Sequence, residues 1–302
     1  MVRFALRNMA TAIKEPRKAY HYALWKLRTS FAWKSRYERL REPKTASPVI
    51  RTQKIHQEIK DQLNRYGFRV DELRIDVNGY KDYLERARYD RFPRYNPFGT
   101  EVIAEKSLEH YLAAVLLDLS RDDIYIDIAN SNSPTPEIYH ELFGCETYRQ
   151  DLIFPEGIHG RVIGGNAAKM PVTDGFASKM ALHCSFEHFE GDSDIGFIRE
   201  ANRVLKKGGK VCILPLYFFT EYAIQTDPAY VRPEDIRFED DAKIFAAKGW
   251  GNRHGRSYDV PHLSARIQDN LDGLDLTIYF VTNEKDIDKS CWLKFVALLE
   301  KR

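Results

Sequence analysis

The stretch Asn166-Ala167-Ala168-Lys169-Met170-Pro171-Val172-Thr173-Asp174-Gly175-Phe176, followed by KMALHCSFEHF over 179–189 and EANRVLKKGGKVCILPLY over 200–217, decides the fold of this 302-residue chain. Asn166 is a polar residue after one apolar segment. Pro171 and Asp174-Gly175 supply turn chemistry, since proline presets φ and glycine accepts positive φ. The apolar run over 179–184 reads as a strand, which delivers Glu187-His188 just past its end. Over 193–206, Phe197, Ile198, Ala201, Val204 and Leu205 recur at helical spacing, and Gly208-Gly209 reads as the cap that ends that helix. Residues 210–217 are a further apolar strand. Strand, helix and strand in immediate succession predict a parallel βαβ unit.

The same alternation extends both ways. Upstream, 124–128, 145–151 and 160–164 read as strands, and 135–143 as a helix with Pro136 tolerated in its first turn. Downstream, 262–272 reads as a helix and 274–282 as a strand; 291–299 fits a last strand or a helix. Nearer the N-terminus, Ile55, Ile59 and Leu63 predict a helix over 54–66. Ile103, Leu108, Leu112, Leu116 and Leu119 predict another over 101–119, with Lys106, Glu109 and His110 as polar neighbours. Residues 67–98 mix aromatic and charged side chains, hold Pro93 and Pro97, and read as a small cap. The expected architecture is α/β, with a basic helical arm over 1–50, a helical segment over 51–119 and the main domain over 120–302.

The order of these elements over roughly 120–300 resembles a class I S-adenosylmethionine (SAM) dependent methyltransferase, type 11-like. The resemblance implies a Rossmann-like, seven-stranded sheet with helices on both faces, here with an α-helical N-terminal extension, and it implies SAM as cofactor. Asp127 matches the family's acidic residue after the first strand. Ala129, Ser131 and Ser133 stand where the family has a Gly-x-Gly-x-Gly loop; with Asn130 they would form the cofactor loop, although glycine accepts positive φ more readily. By the same carry-over, Asp151 would accept from both ribose hydroxyls, Asn166 and Ala167 would meet the adenine edge, and Cys184 would line the donor site. Glu187 and His188 would lie beside the methyl donor, His188 as the base that takes the acceptor's proton. Such sequences look like enzymes that methylate oxygen on glycans or other small hydroxyl acceptors in cell-surface polysaccharide biosynthesis.

A second unusual segment spans 249–262. Trp250 offers a stacking face for a sugar, Arg253 and Arg256 offer forks for carboxylate or phosphate, and His254 and Tyr258 offer further donors. With Tyr217 these form the candidate acceptor-binding set; a salt-bridged structural loop is the alternative. His183, Cys184 and His188 lack a zinc spacing, so no metal is expected.

A net charge of +2 hides an asymmetry. Residues 1–54 hold 14 Lys/Arg and 3 acidic residues, +11; the other 248 hold 32 and 41, −9. Tyr20, Leu24, Leu27 and Phe31 share a face of the arm, with Lys26, Arg28, Lys34, Arg36 and Arg39 around them and Trp25 and Trp33 nearby. Such a helix can pack on its own domain, lie on an anionic membrane surface, or bind nucleic acid. Four scattered cysteines without a CxxC pair indicate a reducing compartment. No apolar run approaches the ~20 residues of a bilayer helix, and no secretory signal is visible, although the Arg-rich start also has the composition of a mitochondrial transit peptide. The expected location is the cytoplasm, peripheral at the inner face of a membrane. Two alternatives are a catalytically inactive methyltransferase-like scaffold and a nucleic-acid methyltransferase. Against the latter, the catalytic strand lacks an Asn/Asp-Pro-Pro-aromatic motif and a Pro-Cys pair.

Overall fold

A computed structural model describes residues 16–50, 52–92, 100–230, 232 and 235–302. The chain divides into two compact units, residues 49–222 with 256–302, and residues 1–48 with 223–255.

The larger unit contains α2 (Gln53–Arg65), β1 (Arg69–Leu73), α3 (Val77–Ala87), α4 (Thr100–Leu117), β2 (Ile124–Ile128), α5 (Thr135–Phe143), β3 (Glu146–Asp151), β4 (Gly157–His159) and β5 (Val162–Gly164). It continues through β6 (Ala177–His183), α6 (Ser193–Val204), β7 (Leu205–Leu214), α7 (Val260–Arg266), β11 (Leu274–Val281) and β12 (Phe295–Lys301). These strands form one nine-stranded sheet in the order β1-β11-β12-β7-β6-β2-β3-β5-β4. The five strands β7, β6, β2, β3 and β5 run parallel, whereas β12 is antiparallel to both β7 and β11. The seven expected strands are thus present, including 295–301 as a strand, and one more lies at each edge.

The central strands β2 and β6 and the second half of β7 are largely buried, which explains their apolar runs, whereas β3 is polar and only partly buried. Ile126, Met180, Leu182, Val211 and Ile213 are within 1% of complete burial. One contiguous core joins Leu108, Leu112 and Leu117 of α4 to Tyr125, Ile138, Tyr139, Cys212 and Val296. At the far edge, Gly164 is required by close approach, since a Cβ there would lie 1.8 Å from the Pro155 carbonyl oxygen.

Two segments differ from the sequence reading. Residues 67–98, read as a cap, supply β1, whose Val70 registers parallel with Ile278; its partner is some 200 residues away, beyond any local pattern. Gly208 does not cap a helix. Helix α6 closes at Val204, and Gly208 (φ +73°) bends the start of β7, whose pairing with β6 shifts register between Ala177 and Lys179.

The smaller unit contains α1 (Pro16–Tyr37), β8 (Ala223–Thr226) and β9 (Lys243–Ala246), with β8 and β9 parallel. The chain after α1 joins this pair, because Lys44 N–H donates to the Ile244 carbonyl (2.8 Å) and Ala246 N–H to that of Lys44 (2.8 Å). Arg36 donates to the Pro228 carbonyl (3.2 Å). Strand β10 (Gly255–Ser257) lies where the chain passes between units. Expectations for residues 1–15, for the Trp25 side chain and for Pro93 and Pro97 fall outside the described residues. No helix among those described is long and apolar enough to cross a membrane.

Candidate active site at the carboxyl ends of the parallel strands

Parallel α/β sheets bind ligands beyond the carboxyl ends of their strands, where crossovers on opposite faces leave a crevice. Strands β2, β3, β5 and β6 end together here. Asp127, near the end of β2, is buried. It accepts from Asn130 Nδ2 (2.5 Å) and Tyr125 Oη (3.1 Å), and His183 Nε2 lies 3.7 Å away. Burial pushes the Asp127 carboxyl up to about 7 and the His183 imidazole down to about 3. His183 is therefore uncharged at neutral pH, and the close approach is not a full ion pair.

After β2 the chain turns through two left-handed residues, Ala129 (φ +52°) and Ser131 (φ +53°). A side chain in that conformation costs about 1–2 kcal/mol, so the turn is held by partners. Ala129 N–H donates to Gln150 Oε1 (3.2 Å), Asn130 N–H to the Gln150 carbonyl (2.9 Å), and Ser131 N–H to Asp151 Oδ2 (2.7 Å). Asp151, half-buried at the end of β3, also accepts from Ile153 N–H (3.1 Å). Past β5, Asn166 Oδ1 accepts from Ala168 N–H (2.9 Å), so its carbonyl already shapes its own turn, and Ala167 is buried beneath.

Beyond β6, Cys184 is also left-handed (φ +46°), and its thiol donates to Glu109 Oε1 (3.0 Å). Tyr217 Oη lies 3.5 Å from the same sulfur. A short 3-10 turn, Phe186–His188, then presents the Glu187-His188 pair, with His188 Nε2 3.7 Å from Glu187 Oε1. The Glu187 side chain is 10% exposed and that of His188 36%. Burial raises the Glu187 pKa, and His188 draws it back.

Helix α4 contributes Glu109 and His110, which the sequence reading left as polar neighbours, and Glu105, which it did not single out. Glu105, Glu109 and His110 are all fully buried. Lys106 Nζ contacts Glu109 (3.1 Å), and Trp292 N–H donates to Glu105 Oε2 (2.9 Å). Burial, then repulsion from Glu109, pushes Glu105 up to about 8; burial also raises Glu109, against the pull of Lys106. His110 bridges Tyr89 Oη (2.6 Å) to Thr135 Oγ1 (3.0 Å) at the start of α5. The signal was legible in part: Glu105 precedes Leu108 and Leu112 by three and seven positions, in line with the apolar stripe.

Two expected acceptor ligands are spent inside the protein. Arg256 donates to the carbonyls of Phe189 (2.8 Å) and Gly191 (2.7 Å) and to Tyr222 Oη (2.9 Å), and it pairs with Asp194 (3.0 Å), both side chains being 0% exposed. Tyr258 Oη donates to Asp194 Oδ2 (2.6 Å), and Arg266 also pairs with Asp194 (2.7 Å). A guanidinium with these partners has no fork left for an anionic acceptor. In the smaller unit, Asp227 accepts from the N–H groups of Gly249 (2.8 Å) and Gly251 (3.1 Å), Trp250 lies against Gly255, and Arg253 donates to the Asp235 carbonyl (3.2 Å). His254 is buried there. Among the described residues no group of His, Cys, Asp or Glu could hold a metal ion.

Residues 106–213, from the polar face of α4 to the end of β7, match the family described as methyltransferase domain. Those residues carry a SAM-dependent methyltransferase domain. Among solved structures, this methyltransferase is similar to the 1,6-didemethyltoxoflavin-N1-methyltransferase of Burkholderia thailandensis, at 10% identity over 85% of this chain and 93% of that one, with a TM-score of 0.45. It is also similar to the PH0226 protein of Pyrococcus horikoshii OT3, at 15% identity over 71% of this chain and 98% of that one, with a TM-score of 0.46. A third is the geranyl diphosphate C-methyltransferase of Streptomyces coelicolor A3(2), at 16% identity over 68% and 86%, with a TM-score of 0.40. No curated protein matches the chain.

The methyltransferase's own residues fit the cofactor. The loop after β2 adopts at Ala129 and Ser131 the left-handed turns that glycines would supply. Within it Asn130 Oδ1 is buried and has no hydrogen-bond partner in the protein, an orphaned acceptor of the kind a bound ligand satisfies.

Proposed function

We propose that this methyltransferase transfers its methyl group to a hydroxyl oxygen of a small acceptor, a glycan in cell-surface polysaccharide biosynthesis. The observation that carries the reading is His188, half-exposed just past β6 and 3.7 Å from the buried carboxyl of Glu187. In this reading His188 Nε2 takes the proton from the acceptor hydroxyl as the oxygen attacks. Glu187, screened from water, favours the imidazolium that results. Asp151, at the end of β3, accepts from the ribose hydroxyls with the lone pairs its two N–H contacts leave free. Asn166 and Ala167 face the adenine edge. SAM, when bound, supplies an activated methyl group on a sulfonium, so the protein's remaining work is alignment.

Helix α1 supports a lipid-linked acceptor. Tyr20, Leu27 and Phe31 are 63%, 68% and 78% exposed, and residues 16–41 hold eight Lys/Arg against one acidic residue, +7. An apolar stripe flanked by cations fits an anionic membrane surface. In this reading the enzyme is cytoplasmic and peripheral at the inner face of the membrane.

The test is a calorimetric titration with SAM and its demethylated product, followed by transfer of labelled methyl to a pool of bacterial lipid-linked saccharides. His188→Gln should keep SAM affinity and lower turnover by roughly 10²–10⁴. If His188→Gln melts early with turnover per folded molecule unchanged, the histidine is structural. If the saccharides stay unlabelled, the glycan acceptor is wrong.

A further inference from the structure

The loop that follows β2 is short of glycine, yet its backbone turns as a glycine loop does. Two left-handed residues, Ala129 and Ser131, flank the buried Asn130. Something other than intrinsic preference holds them there.

Strand β3 supplies it. Gln150 registers opposite Ile128, the last residue of β2, and opposite Ile163 of β5. It therefore stands between the two neighbouring strands whose following loops flank the cofactor crevice. Its side chain is 1% exposed. Oε1 accepts from Ala129 N–H (3.2 Å), while Nε2 donates to the Gly165 carbonyl (2.6 Å), one residue before Asn166. Next to it, Asp151 Oδ2 accepts from Ser131 N–H (2.7 Å). A single buried amide thus ties the loop after β2 to the loop after β5, beside the main-chain bonds from Asn130 N–H to the Gln150 carbonyl (2.9 Å) and from Gly165 N–H to the Asp151 carbonyl (3.2 Å).

We propose that Gln150 is a positioning residue of the SAM site: with Asp151 it holds Ala129 and Ser131 in the left-handed turns that glycine would adopt unaided, and it fixes the distance between the loop after β2 and the loop after β5. An amide suits this place because it is donor and acceptor at once and carries no charge into a buried site. The inference rests on the reading of this crevice as the SAM site.

Calorimetry on the full-length chain tests it. Gln150→Met keeps the bulk of the side chain and removes both contacts; SAM should bind at least tenfold more weakly. Adding Ala129→Gly and Ser131→Gly to Gln150→Met should bring SAM affinity back to within about threefold of the wild-type chain, because glycine needs no brace. A residue that merely stabilises the fold would not be rescued in this way. Gln150→Glu keeps the acceptor toward Ala129 but turns an oxygen toward the Gly165 carbonyl; if Gln150→Met does not fold, SAM should bind at least tenfold more weakly to folded Gln150→Glu, and unchanged affinity there overturns the proposal. Unchanged SAM affinity in folded Gln150→Met, or a loss that the glycines leave untouched, overturns the proposal while the wild-type chain still binds SAM. Absence of SAM binding by the wild-type chain overturns the proposal and the SAM reading together.

Discussion

Arg256→Lys separates a structural arginine from an acceptor-binding one. Arg256 and Asp194 are both fully buried, and the guanidinium serves at least four partners: the carbonyls of Phe189 and Gly191, Tyr222 Oη and the Asp194 carboxylate. These carbonyls belong to the segment just after Glu187-His188, so Arg256 anchors the candidate base. Lysine keeps the charge but presents its donors from one point, and it can reach about two of the four. Each buried group left without a partner costs about 1–3 kcal/mol, so roughly 3–4 kcal/mol is lost. Asp194 keeps Arg266 and Tyr258, which prevents a larger loss. At about 2–4 °C per kcal/mol for a domain of this size, Tm should fall by roughly 10 °C in thermal unfolding followed by circular dichroism. Turnover of the protein that remains folded should show an acceptor KM near that of wild type. If Arg256→Lys melts within about 2 °C of wild type while the acceptor KM rises severalfold, the guanidinium faces the acceptor and the buried network is not its role.

Two further outcomes are expected. Asp127 releases its proton at about 7 in the folded chain and near 3.9 when unfolded, so between those values the folded state holds the extra proton and stability falls as pH rises. Asp127→Asn should flatten the fall seen in urea titrations between about pH 4 and pH 7, and an identical fall in both proteins refutes the assignment. On helix α1, the double variant Leu27→Glu and Phe31→Glu should lose co-sedimentation with vesicles of anionic lipid, while wild type sediments and is released by salt. If the wild-type chain stays in the supernatant, the membrane reading is wrong.

Apolar patterning determined the alternation of β2, α5, β6, α6 and β7, because those strands hold short apolar runs and those helices an apolar stripe, whereas β3 is polar and is legible only from its place in that alternation. The resemblance of that order to class I methyltransferases then implied the sheet, the cofactor and the place of Asp127, Asp151 and Glu187-His188 at strand ends. Tertiary structure decided the rest, wherever a residue's role depends on a partner distant in sequence. Strand β1 exists because Val70 meets Ile278. Glu105 and Glu109 are interior because α4 lays its whole stripe, charged positions included, on the sheet. Arg256 reads by composition as an anion fork and becomes a buried tie only once Asp194 and the Phe189 and Gly191 carbonyls are assembled around it. At Ala129 and Ser131 local preference opposes the observed turn, and hydrogen bonds from β3 overrule it. Local pattern sets which segments are strands and helices; the burial of unlike groups against one another sets what their side chains can do.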